Sequence, residues 1–441
     1  MYRFTTTNNR TKYSLILLLF FILLTGMKLA VQAQSTAFVK VNAHQFVINK
    51  KPYYYMGTNY WYGAILGMDK SQGGDRARLI KELDFLQKNG VTNLRVMAAV
   101  EGSGYVNGVN RVQPALQQAP GVFDEKLLDG LDFLLSEMGK RNMKAVLFLS
   151  NNWEWSGGFL QYVNWYGLVA DSVVQRKLNW DEQRDITARF YSCVSCKEAY
   201  LEQVKYIVGR KNKITRKLYS NDPTIMSWEL ANEPRPMRPA ADADYAEWIT
   251  EAAAYIKSLD KNHLVTIGHE GYMATDGDME LFEKIHTDKN IDYLAIHIWA
   301  KNWGWFKGDD FSGLIDTLQQ RALAYIAVHE KVAVKIKKPM VIEEFGLPRD
   351  QHGFTTDVAT SLRDQYFAAI FGAFYSSKTK KGAIGGVNFW AFGGTARPVK
   401  GQVYWKEGDD LTGDPPMEEQ GLNSVFDNDI STWELIRKYA K

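Results

Sequence analysis

Short apolar runs that read as strands alternate with longer amphipathic stretches along most of this chain. That alternation constrains the fold more than any other feature, because parallel strands need long crossovers and helices supply them. Strands are expected at 55–59, 92–97, 144–150, 225–230, 263–268, 291–297, 340–343 and 386–390. Helices are expected at 76–88, 124–141, 196–208, 243–259, 313–331, 356–375 and 432–439, the first with Leu79, Ile80, Leu83 and Leu86 at helical spacing. Residues 38–54 read as a small hairpin, and 151–193 as a long insert rich in Trp and Tyr. Eight strands, all but one followed by a helix, predict an α/β chain, a (β/α)8 TIM barrel with loop insertions. An open doubly wound sheet is the alternative, although no G-x-G-x-x-G follows the first strand.

Two of these strands end in acids. The run Ile225-Met226-Ser227-Trp228-Glu229-Leu230-Ala231-Asn232-Glu233-Pro234-Arg235 stops at Pro234, which lacks an N–H and disfavours helix in the residue before it. The run Met340-Val341-Ile342-Glu343-Glu344-Phe345-Gly346 ends similarly. In a barrel of this kind the C-terminal strand ends share one mouth. Asn59, Arg95, Asn151, Asn152, Asn232, Glu233, His269, Glu270, His297, Glu344 and Trp390 are the residues expected there. Two carboxyls with different duties, roughly 5 Å apart, are what configuration-retaining glycoside hydrolysis needs. Glu233 suits the proton donor, since Asn232 beside it can bond a sugar 2-hydroxyl. Glu344 suits the nucleophile, since Arg95 can hold it charged and oriented, and Trp390 offers the sugar an apolar floor. Glu343 is the rival nucleophile, but successive strand residues face opposite sides, so only one of the two acids can face the mouth.

Asn232-Glu233-Pro234 and Glu344-Phe345-Gly346, with Arg95, His297 and Trp390 at matching strand ends, resemble glycoside hydrolase family 5. The stretches Gly268-His269-Glu270-Gly271-Tyr272, His297-Ile298-Trp299, Asn302-Trp303-Gly304-Trp305 and Asn151-Asn152-Trp153 look closest to its endo-β-1,4-mannanase branch. The resemblance runs from about residue 38 to the end. It implies a double displacement on mannan, glucomannan or galactomannan, with Glu233 as acid/base and Glu344 as nucleophile. Many members carry Tyr where this chain has Trp299, so support of the nucleophile differs here. Arg95, Asn232, His297, Trp299, Trp390, Asn152, Trp153, Arg235, Trp303 and Trp305 are expected to bind substrate, with Trp61, Trp155 and Trp165 as further candidate rings among 13 Trp.

The remaining features narrow the class. Arg3, Arg10 and Lys12 precede the apolar run 15–24, and Val31-Gln32-Ala33 offers a cleavage site, so residues 1–33 read as a signal peptide. That leaves 34–441 as a single catalytic domain, exported to a secreted or periplasmic location, with no stable membrane insertion. Removing the leader takes away four basic residues and no acidic one, so the formal charge of +3 turns slightly negative. Nothing then favours nucleic acid as a partner, and a neutral polysaccharide such as β-mannan suits the chain better. Cys193 and Cys196 lack a second pair for zinc and read as a local disulfide or two inert thiols. His297 lacks companions at metal-ligand spacing and reads as a neutral hydrogen-bonding histidine; Asp409–Asp414 reads as a surface turn, not a calcium loop. No metal and no cofactor is expected. The rival readings are an endo-β-1,4-glucanase on the same scaffold and a catalytically silent polysaccharide-binding protein.

Overall fold

The computed structural model describes residues 1–2 and 37–440, and the expected alternation is present strand for strand. The strands are β1 (Tyr55–Asn59), β2 (Asn93–Met97), β3 (Lys144–Phe148), β4 (Ile225–Glu229), β5 (Leu264–Thr266), β6 (Leu294–Ile298), β7 (Met340–Phe345) and β8 (Ile384–Phe389). The helices that follow them are α1 (Arg76–Lys88), α2 (Lys126–Lys140), α3 (Val194–Val208), α4 (Asp242–Leu259), α5 (Met279–His286), α6 (Ile315–Ile336), α7 (Ser361–Lys380) and α8 (Ile430–Tyr439). All strand pairings in this sheet are parallel, in the order β5-β4-β3-β2-β1-β8-β7-β6. The fold is a (β/α)8 barrel.

The seam between β5 and β6 carries no regular ladder and is bridged in another way. Asp292 N–H donates to the Val265 carbonyl (2.8 Å), the Asp292 carboxylate accepts from Val265 N–H (2.7 Å), and Thr266 Oγ1 donates to the Tyr293 carbonyl (3.1 Å). A carboxylate thus replaces a strand partner, so the backbone groups of the short β5 stay satisfied. Helix α5 was not expected from the sequence. It has eight residues, too few for a clear periodic signal, and its start is set by Asp278, whose carboxylate accepts from Glu280 and Leu281 N–H.

The predicted hairpin is a three-stranded antiparallel sheet, Lys40–Asn42, Gln45–Ile48 and Lys51–Pro52. Its Phe46 packs with Tyr55, Val146, Met226, Leu264, Tyr293 and Val341 in a cluster separate from the main core. Those residues come from barrel strands, apart from Tyr293 directly before β6, so the sheet plugs the barrel's N-terminal end. The fit is close: a Cβ on Gly385 of β8 would lie 2.4 Å from the Phe46 ring. The signal peptide assigned to 1–33 lies, apart from residues 1 and 2, outside the described residues. Among the described residues no helix is long and apolar enough to cross a membrane.

The insert after β3 is a helical roof, with short helices at Gly158–Trp165, Asp171–Gln175, Trp180–Thr187 and Arg189–Ser192. Phe159 stacks on Phe190 (4.2 Å), and both meet Trp248 of α4 edge-on, which anchors the roof to the barrel. Cys193 and Cys196 are joined as a disulfide at the start of α3.

Three histidines sit buried beneath the β5 and β6 loops. Burial pushes His286 down to about 3 and His329 to about 4, and holds His269 well below the usual imidazole range. The unfolded chain takes up these protons near pH 6.5, whereas the folded chain does not. Their contribution to stability is therefore complete above pH 6.5 and drains as pH falls toward 3–4. Calorimetric stability should fall across pH 6–4.5, and His286→Gln should flatten that slope by about 1.4 kcal/mol per pH unit.

Candidate active site

The strand ends bring four carboxyls to one place, and Arg95 of β2 organises them. Its side chain is fully buried. Nε and Nη2 donate to the two oxygens of Glu229 on β4 (2.9 and 2.5 Å), Nη1 donates to Asn59 Oδ1 on β1 (3.0 Å), and Nη2 also reaches Asn232 Oδ1 (2.6 Å). Nη1 donates in addition to Glu344 at the end of β7. One planar guanidinium thus fixes groups from β1, β4 and β7, which a single ammonium could not do. Asn232 is locked from its other side, since Nδ2 donates to Asn151 Oδ1 (3.1 Å), and the same oxygen receives Trp153 N–H.

β6 and β7 pair His297 directly with Glu344, after a register irregularity between Ile296 and His297. His297 Nδ1 lies 2.7 Å from Glu233 and 3.3 Å from Glu344, and Nε2 lies 3.5 Å from Glu343. Burial lowers the pKa of this imidazole, but the Glu344 charge and hydrogen bonds to Glu233, Glu343 and Glu344 outweigh it and carry His297 well above its usual range. The balance favours the protonated imidazole, against the expectation of a neutral ring. The sequence signal was hidden because its three carboxylate neighbours come from β4 and β7. Around Arg95 and His297 stand Glu229, Glu233, Glu343 and Glu344, so acids outnumber cations, and burial pushes Glu229 up to about 8 against the pull of Arg95.

Glu233 and Glu344 face each other. One oxygen of each, together with a His297 nitrogen, all lie within 4.8 Å of one another. Trp299 stands between the acids: its Nε1–H is 3.1 Å from Glu233 Oε1 and 3.1 Å from Glu344 Oε2. Trp153 Nε1–H donates to the other Glu233 oxygen. Glu233 itself has a left-handed backbone (φ 51°), an unusual conformation for a residue with a side chain. Its N–H donates to the Gly268 carbonyl (2.9 Å). Gly268 tolerates no side chain, since a Cβ there would lie 2.2 Å from both the Ala231 carbonyl and Glu229. Glu343 does not turn away as strand alternation predicts: its carboxyl lies 3.7 Å from Arg95 and 3.5 Å from His297, the two groups Glu344 also meets, because the β6–β7 register skips Glu343; only Glu344 lines the cleft.

Above the acids opens a cleft of about 550 Å³. Arg235, Asn232, Trp153, Trp299, Trp303 and Trp390 line it, as expected. Trp390 meets Trp299 edge-on at 5.6 Å. Arg235 lies over the Trp153 ring (5.2 Å) and is paired with Glu270 (2.5 Å), whose pKa burial raises. Other expectations are not met. Trp305 packs against Trp303 (5.4 Å) and lines a neighbouring groove with Tyr272 and Arg321. Asn152 is buried and does not line the cleft. Trp61 is buried with its N–H on the Gly413 carbonyl, and Trp165 packs edge-on to Tyr162. Trp155 is largely buried but reaches the cleft wall.

Sequence reasoning missed Glu229, Trp180, Met417 and Glu418. Glu229 sits inside a predicted strand, where an inward acid implies a buried cation, and Arg95 was available as that partner. Trp180 is exposed on the roof, 6.2 Å from Trp153, in the Trp-rich insert whose placement the sequence left open. Met417 and Glu418 lie just past Asp409–Asp414, the stretch that reads from sequence as a surface turn. That reading is corrected too: Asp414 is buried and accepts from the N–H groups of Gly421, Asn423 and Ser424.

The family whose description is GH family 5 beta-mannosidase-like matches residues 36–441. A mannan endo-1,4-beta-mannosidase 4 from Solanum lycopersicum is 32% identical over 365 residues, covering 80% of this chain and 82% of that protein. A solved glycoside hydrolase family 5 mannosidase from Rhizomucor miehei superposes with a TM-score of 0.82 at 34% identity, covering 92% of this chain and 97% of that one. Its E202A mutant, solved with mannosyl-fructose, gives 0.81 at 33%, covering 91% and 96%.

Arg95→Met should strand Glu229 and Glu344 as buried, unpaired carboxyls and destabilise the protein by about 3–5 kcal/mol. Arg95→Lys should recover only part of this, because it cannot serve three strands at once. Chemical denaturation of both variants checks the order; equal stability of Arg95→Met and the native protein would contradict it.

Proposed function

The chain belongs to glycoside hydrolase family 5, and on that premise we propose that it is a retaining endo-β-1,4-mannanase, with Glu233 as acid/base and Glu344 as nucleophile. The observation that carries this reading is the approach of the two carboxylates to within 4.8 Å across the Trp299 N–H. That closeness leaves no room for a water between the second carboxylate and the sugar, and so supports a covalent route over an inverting one.

The steps follow from the groups in place. Glu344, oriented by Arg95, attacks the anomeric carbon while Glu233 gives its proton to the departing glycosidic oxygen. The bond to the leaving sugar breaks and a glycosyl ester forms on Glu344. Glu233, now a carboxylate, takes a proton from water, which attacks the same carbon and releases Glu344 with configuration retained. His297 and Trp299 keep the two carboxylates apart in role though close in space, donating to whichever oxygen carries charge at each stage. The leaving portion of the chain lies on the Glu233 side, along Trp153, Trp180 and the Arg235–Glu270 pair. The retained portion lies over Trp390.

The substrate reading rests on the names of the relatives, on a cleft walled by tryptophan, and on a near-neutral formal charge, which does not favour a charged polymer. The N-terminal leader supports export to a secreted or periplasmic location, which Edman sequencing of the secreted product would check.

Glu233→Ala and Glu344→Ala should each lower reducing-sugar release from linear mannan by several orders of magnitude with the fold retained. The native enzyme should release sugar from mannan and far less from carboxymethyl-cellulose. Release from the glucan alone would keep the site and overturn the substrate; mannan binding without release would support a silent groove instead. Trp299→Phe removes one donor shared by two carboxylates and should lower kcat about 10–100-fold. Trp299→Tyr should restore much of it, as read from initial rates on mannopentaose.

A further inference from the structure

The segment after β8 returns over the cleft and is held from within and without. Asp414 gathers the N–H groups of Gly421, Asn423 and Ser424 (3.0, 3.0 and 3.1 Å). Gln420 Nε2 donates to the carbonyls of Asp414, Pro415 and Glu418 (2.9, 2.9 and 3.1 Å). On the outside, Glu419 takes the ammonium of Lys301 from the loop after β6. Between these two fixings, Met417 and Glu418 form part of the cleft wall, opposite Trp303 and beside Glu344 and Trp390.

Rigid placement and an idle functional group make an unusual combination. No hydrogen bond or ion pair from the described residues reaches the half-buried Glu418 carboxyl. A structural carboxyl in such a setting would be paired, as Asp414, Glu229 and Glu270 all are. Nor does the two-carboxyl reaction require a third acid.

Resting on the mannanase reading above, we propose that Glu418 is a substrate-binding residue, whose carboxyl hydrogen-bonds a hydroxyl of the sugar retained over Trp390 and fixes that ring against Glu344. Its protonation suits the task. Burial, with the charges of Asp414, Glu344 and Glu233, raises this carboxyl well above the usual range. That shift favours the neutral acid, which can donate through O–H and accept through C=O without placing another negative charge beside the nucleophile. Met417 also borders a second groove, about 650 Å³, walled by Tyr105, Tyr404 and Trp405. Glu418 therefore stands where a chain of sugars would pass from the cleft to that outer groove.

The test is steady-state kinetics of the full-length enzyme, Glu418→Ala and Glu418→Gln on linear mannan and mannopentaose, with thermal melts alongside. Glu418→Ala should lose about tenfold in kcat/KM, mostly in KM, with an unchanged melting temperature. Glu418→Gln keeps a neutral donor and acceptor and should recover most of the loss near neutral pH. It should also extend activity to higher pH, because it cannot ionise next to Glu344. Calorimetric binding of mannotetraose gives a readout free of turnover: Glu344→Ala/Glu418→Ala should bind about tenfold more weakly than Glu344→Ala. Native kcat/KM in Glu418→Ala, or Glu418→Gln no better than Glu418→Ala, would overturn the proposal while leaving the mannanase reading intact. A native enzyme inert on both substrates, with no binding of mannotetraose, would remove the reading and the proposal together.

Discussion

A single buried cation holds the mouth of this barrel together. Removing a guanidinium from water costs several kcal/mol even after relaxation, and only good geometry offsets that. Arg95 meets the condition by spending all its donors on Asn59, Glu229, Asn232 and Glu344. The dependence is mutual, since each of those acceptors is buried too and would be costly without it. The relative placement of β1, β2, β4 and β7 at their C-terminal ends is therefore set by an electrostatic knot, while apolar packing sets it farther down.

The acids around the knot are kept distinct by different companions. Glu344 receives Arg95, Glu233 receives Trp153, and both share Trp299 and His297. The upward shift of His297, which favours its charged form, helps make four neighbouring carboxyls tolerable at the base of the cleft. An indole in place of a phenol between the acids changes the chemistry of that bridge. Trp299 can only donate, and has no hydroxyl oxygen with which to accept or to lose a proton.

The scaffold was legible because strand signals are local. β1 runs over the residues predicted for it, and the others differ by a few residues at their ends, where apolar character persists past the last ladder bond. The acids were legible for the same reason: Pro234 and Gly346 mark where two strands stop, and the side chains just before them must meet at the mouth. What the sequence hid depends on contacts between distant segments. The charge of His297 follows from β4 and β7 neighbours, and Trp180 reaches the cleft only because the roof folds back over it. Trp303 and Trp305 shared a motif, yet one lines the cleft and the other the next groove. Tryptophan composition alone could not separate them.

The plug at the base of the barrel has a consequence for how the chain reaches its native state. Phe46 touches β8 at Gly385, and β8 must also pair with β1, so the first and last parts of the fold complete one another. Contacts that span more than 300 residues of chain carry a loop-closure cost that nothing local repays. A growing chain cannot seal the barrel from below until β8 has been made. Until then Tyr55, Val146 and Met226 remain an uncovered apolar surface, of the kind a holding chaperone would recognise on a growing chain.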